Sequence, residues 1–107
     1  MVTEKAAKGT NDLKIDALQL KKASLIVRAV NHKLRQQILK LVHQHKTITV
    51  TEIYVRLRLE QSVASQHLAI LRRAGVVNTE REGKFIHYSV NYDRLKHIQH
   101  VVNDMLS

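Results

Sequence analysis

The chain has 107 residues, 18 Lys and Arg against 9 Asp and Glu, and a sequence pI near 10.2. That length holds one domain with a single core, and a net charge of +9 calls for a polyanionic partner, nucleic acid before membrane. The absence of cysteine excludes disulfides, thiolate metal sites and thiol redox sensing; with no apolar run near the ~20 residues that span a bilayer and no signal-peptide pattern, we expect a cytoplasmic protein without a membrane partner.

Residues 1–11 mix Lys, Thr, Gly and Ala without period and predict a flexible N-terminal arm, leaving 12–107 as the folded domain. Nine basic and three acidic residues fall in 1–45, seven and four in 46–84, and two of each in 85–107. A neutral, apolar-striped C-terminal segment beside basic neighbours points to a protein contact there. No proline and only three glycines fit a largely helical chain.

Leu18, Leu25 and Ala29 trace a first helix over 12–30. Asn31 is placed to cap a second, in which Leu34, Ile38, Leu41 and Val42 recur at helical spacing. His43 and His45, at i and i+2, do not share a helical face and so make a poor metal pair. Thr49 and Glu52 fit a capping box that starts a short third helix carrying Ile53 and Leu57 inward to about Arg58.

After a tight connection, Gln61–Gly75 predicts a fourth helix. Ala64, Leu68 and Leu71 form its docking stripe, while Gln61, Ser62, Ser65 and Gln66 fall on the opposite side. Amides and hydroxyls there suit base edges or phosphates in a major groove, and two short helices joined by a tight turn make a helix-turn-helix with the second as reader. The plain alternative for each of these residues is a solvated helix face.

Gly75 ends this helix as a left-handed cap. The period then changes to two: Val77, Thr79 and Arg81 alternate with polar residues, as do Ile86, Tyr88 and Val90, with Glu82-Gly83 between the runs. A hairpin flanked by Arg81 and Lys84 directly after a helix-turn-helix reads as a wing that touches DNA backbone or minor groove. Asn91 can cap a last helix striped by Leu95, Ile98, Val102 and Met105. The fold class is therefore mainly α with a small β-hairpin, a winged helix-turn-helix of five helices and a two-stranded wing.

From about Ala29 to Val90 the chain resembles the ArsR/SmtB winged-helix repressors, on the motifs Asn31–Leu39, Gln61–Val77 and Arg81–Val90. The resemblance implies a homodimer joined by first and last helices, bound to an inverted-repeat operator on double-stranded DNA and released by an effector that the sequence leaves unknown. Where metal-sensing members carry a Cys-x-Cys pair on the third helix, this chain has Thr49 and Thr51, poor ligands for soft metals. Where others place carboxylate and His ligands on the last helix, it has Tyr92, Arg94 and Met105. The usual Pro after His32 is Lys33, the corner Gly is Arg58, and the Ser or Thr before the reader is Glu60.

The candidate DNA-binding set is Thr49, Gln61, Ser62, Ser65, Gln66, His67, Arg72, Arg73, Arg81 and Lys84. The candidate dimer seam is Leu18, Leu25, Leu95, Ile98, Val102 and Met105. No cofactor or metal is expected. Ser62, Ser65 and His67 lack a carboxylate to orient the imidazole, so the chain is not read as an enzyme. Two alternatives remain. One is a metal-responsive repressor using His97, His100 and Asp104, spaced i, i+3 and i, i+4 along the last helix; the other is a winged helix that only binds proteins.

Overall fold

The computed structural model describes residues 13–107, so the expectation for an arm over 1–11 lies outside the described residues. Among these residues the order is α1 (Ala17–Val30), α2 (Lys33–His45), β1 (Ile48–Thr49), α3 (Val50–Arg56), α4 (Gln61–Arg73), β2 (Val77–Glu82), β3 (Phe85–Val90) and α5 (Tyr92–Leu106).

Local chemistry sets most of the boundaries. α1 starts at Ala17, later than the stripe implied, because the Asp16 carboxylate accepts from the Gln19 N–H and fixes the first turn there. Asn31 does not cap α2. Its N–H closes α1 onto the Val27 and Arg28 carbonyls, and His32 caps α2 instead, its Nδ1 accepting from Leu34 and Arg35 N–H. α2 leaves through Lys46 (φ 65°, ψ −54°), where a 2.7 Å bond from the Thr47 N–H to the His45 carbonyl closes a γ-turn of the rarer hand. The predicted box at Thr49 is complete: the hydroxyl accepts from the Glu52 N–H at 3.3 Å and the Glu52 carboxylate accepts from the Thr49 N–H at 3.2 Å.

The wing expected as two strands is part of a three-stranded antiparallel sheet in the order β1-β3-β2. Ile48 pairs with Tyr88 and Thr49 with His87. A two-residue strand carries no period to read, and only the pairing with β3 defines it. The hairpin also turns one residue later than the pattern suggested. Glu82 faces Phe85, leaving Gly83-Lys84 as the loop, and a positive φ of 63° at Gly83 suits the first position of a tight two-residue turn.

The core lies where α2, α3, α4 and the base of the hairpin meet: Ile38, Leu39, Val42, Ile53, Leu68, Leu71, Val76, Val77 and Val90 are buried, with Ile48 from β1. The two terminal helices contribute little to it. Ala29 is the buried residue of α1, α5 has none, and Leu95 and Ile98 lie partly buried against the core.

Candidate nucleic-acid interface

α3 ends in two interlocked bonds, Leu59 N–H to the Tyr54 carbonyl (2.9 Å) and Arg58 N–H to the Val55 carbonyl (3.3 Å), with Arg58 in the left-handed region at φ 55°. This is a Schellman stop with Arg where glycine is favoured. α4 ends the same way: the Val76 N–H donates to Leu71 and the Gly75 N–H to Arg72, with Gly75 at φ 78°. α4 therefore sits between two matched stops. α3 finishes at Arg56, short of the expected Arg58, because the reversal begins there.

On α4 the predicted division of faces holds. Ala64, Leu68 and Leu71 are buried, whereas Gln61, Ser62, Ser65 and Gln66 are exposed. Among the described residues no side chain caps the helix start. Glu60 takes the N-cap position without a side-chain bond, so the first N–H groups of α4 stay available to an anion such as a DNA phosphate.

Arg72 and Arg73 are exposed in the last turn. With Ser65, Ala69 and Tyr88 they line an open cleft between α4 and β3. Tyr88 was not among the candidates; its place in the hairpin alternation was legible, but its position opposite the reader depends on how the sheet docks. On the wing, Lys84 lies 5.6 Å from the centre of the exposed Phe85 ring and the Arg81 guanidinium donates to the Gly83 carbonyl at 3.4 Å, leaving both cations at the tip. Glu82 pairs with His87 at 3.3 Å.

Two candidates are engaged inside the protein. The Thr49 hydroxyl donates to Glu52 at 3.1 Å while accepting from its N–H, so it serves the start of α3. The His67 ring is half-buried, with Nδ1 3.2 Å from Arg35 Nη1 and its centroid 5.0 Å from that of His32. Burial, then His32, then Arg35 hold the His67 imidazole below its ordinary pKa of 6.5. Arg35, which the sequence reading passed over, is the buried charged residue among those described. Its signal was its position, since Arg35, Ile38, Leu39 and Val42 share one helical face.

On α5, His100 Nε2 lies 3.4 Å from Asp104 Oδ2 with both side chains largely exposed. Among the described residues no three His, Asp or Glu side chains gather closely enough to hold a metal, so His97, His100 and Asp104 do not form a joint site. Likewise, among the described residues no helix is long and apolar enough to cross a membrane.

A helix-turn-helix backed by a cationic hairpin, with a polar face held away from the core, defines the winged-helix class of DNA-binding regulators. Comparison with known proteins narrows this. Residues 32–79 match the model of the bacterial regulatory protein arsR family. The chain is 33% identical over 92 residues to the transcriptional repressor PagR of Bacillus anthracis, covering 86% of this chain and 92% of that one. It is 39% identical over 75 residues to the transcriptional activator HlyU of Vibrio cholerae serotype O1, covering 70% and 68%. The crystal structure of PagR superposes with a TM-score of 0.64 at 30% identity, over 81% of this chain and 99% of that one. The chain belongs to the ArsR family and is a DNA-binding transcriptional regulator, not an enzyme.

Proposed function

We propose that the protein represses transcription in the cytoplasm as a homodimer on an inverted-repeat operator. The observation that carries this is the exposed face of α4, where Gln61, Ser62, Ser65 and Gln66 stand clear while the opposite face anchors the helix. These four read base edges, and Arg72, Arg73, Arg81 and Lys84 hold the sugar-phosphate backbone. The Thr49 hydroxyl, held by Glu52, and the His67 Nδ1, held by Arg35, support the scaffold. Repression is favoured over activation because the relative named a repressor matches 86% of this chain, against 70% for the one named an activator.

The dimer reading rests on unspent apolar surface. Leu18 (62% exposed), Leu25 and Met105 (77%) lie open on the terminal helices, and Val102 sits half-exposed beside them. Leu95 and Ile98 already lean on the core and offer only their outer edges to a partner. A symmetric pair of readers requires half-sites about one helical turn apart, ~34–36 Å.

Selection from a randomised duplex pool tests the proposal. The recovered sequences should form an inverted repeat with that spacing, and Gln66→Ala should relax one position at a cost of about 1–3 kcal/mol. A pool that never enriches would overturn it.

A further inference from the structure

Three helices meet at the Arg35 guanidinium. Its Nε donates to the Ala29 carbonyl at 2.6 Å and its Nη2 to the Arg28 carbonyl at 3.2 Å, tying down the last turn of α1. Its Nη1 lies 3.2 Å from His67 Nδ1 on the reader helix. A guanidinium has no acceptor, so it donates here, and the His67 Nδ1 must carry a lone pair rather than a proton.

The same constraint falls on His32. Its Nδ1 accepts from the Leu34 N–H at 3.2 Å and the Arg35 N–H at 3.5 Å, which caps α2, so that nitrogen is unprotonated as well. An imidazolium carries N–H on both nitrogens. A proton on His67 ends its bond from Arg35 and sets a cation against a guanidinium; a proton on His32 removes the cap of α2 and turns a donor toward two N–H groups. The two rings are 5.0 Å apart, so each charge also opposes the other.

Among the described residues, the charged groups that act on the His67 ring are basic. α1, α2, α3 and β2 pack against α4, and of their charged groups it is His32 and Arg35, from the start of α2, that act on His67. Arg28 on α1 adds another cation to the cavity beside Arg35, while the carboxylates of Glu52 on α3 and of Glu80 and Glu82 on β2 are not among the causes of the His67 shift.

We propose that Arg35 is a positioning residue, holding the reader helix in register with α1 through His67, and that protonation of His67 and His32 at Nδ1 releases this hold and lowers DNA affinity. The sign agrees with the electrostatics. A histidine whose pKa is depressed in the folded protein takes up its proton more readily when its contacts open, so the closed arrangement weakens as pH falls below about 6.5. Simple charge counting gives the opposite expectation, because protonating any of the seven histidines adds positive charge and strengthens attraction to phosphate.

The proposal rests on the reading of α4 as the DNA reader, and its test has one arm that needs no DNA. In the full chain, long-range ¹H–¹⁵N spectra of the imidazoles at pH 7.5 should show His32 and His67 as Nε2–H tautomers. His67 should titrate below the ordinary imidazole value of 6.5. In the second arm, affinity for the selected duplex is measured at constant ionic strength at pH 7.5 and 5.5. Wild type should weaken on acidification on the order of tenfold, an ordinary coupling between sites. A His32→Asn, His67→Gln double variant keeps both acceptors without a titrating nitrogen and should lose most of that dependence; Arg35→Met should bind weakly at both values. Nδ1–H tautomers, a wild-type affinity that rises on acidification, or equal pH dependence in wild type and double variant would overturn the proposal. Failure to bind any duplex specifically at pH 7.5 while the spectra behave as stated would overturn the reader assignment and with it the DNA half of the proposal.

Discussion

The guanidinium of Arg94, in the first turn of α5, lies against Gly75 so closely that a β-carbon there would meet its Nε at 3.1 Å and its Nη2 at 3.2 Å. The Asn91 side-chain amide also donates to the Gly75 carbonyl at 2.9 Å, and the Asn91 N–H to Val76 at 2.9 Å. The stop of α4 is thus also the seat of the last helix. Gly75→Ala adds left-handed strain to crowding, and we expect it to cost about 1–3 kcal/mol in urea denaturation. An unchanged midpoint would mean that Arg94 swings clear and the backbone relaxes freely.

Arg58 performs the task of Gly75 at the other end of α4, with φ 55° and a side chain that is exposed. Arg58→Gly should stabilise the protein by up to about 1 kcal/mol, the left-handed penalty removed less the entropy of the added glycine. Destabilisation on urea titration would contradict the strain argument.

The Glu52 carboxyl is held below its ordinary value of 4.5, first by the Thr49 N–H and then by the Thr49 hydroxyl, against a smaller opposing effect of burial. A depressed acid contributes stability above its unfolded pKa and loses it as pH falls through the folded one. The stability difference between wild type and Glu52→Gln should therefore be largest near neutrality and shrink as pH drops below about 4.5. Thr49→Ala, which removes the cap itself, should cost about 0.5–2 kcal/mol at pH 7. Parallel stability curves for wild type and Glu52→Gln across pH 3 to 7 would refute the carboxylate's role.

Leu18 and Met105 are exposed enough that charge on either leaves the monomer core intact. On the proposed dimer, Leu18→Glu with Met105→Glu should give folded monomers in sedimentation and a large loss of operator affinity, since each charge would be buried at the proposed seam. A variant that stays dimeric would place the interface elsewhere.

Lys84 stands at the turn of the hairpin. Lys84→Ala should lower the slope of log affinity against log salt by roughly one while leaving the selected sequence unchanged. An unchanged slope would remove the wing tip from the backbone contacts.

What the sequence determined by itself was whatever depends on near neighbours in the chain. The stripe Ala64, Leu68, Leu71 made α4 and named its free face, because side chains three and four apart share one side of any helix. Thr49 and Glu52 announced the start of α3, Gly75 the stop of α4, and the alternation around Tyr88 the hairpin, each a matter of a few bonds. Tertiary structure decided the rest. β1 exists because Ile48 meets Tyr88 forty residues later in the chain, and Asn31 yields the cap to His32 because α2 starts at Lys33 and leaves Asn31 as the closing residue of α1. Arg35 is buried by acceptors 6, 7 and 32 residues away on two other helices. A lone cation on an apolar stripe is unstable until all such partners arrive together, so its role, and that of the His67 it holds, becomes visible only once the helices have packed.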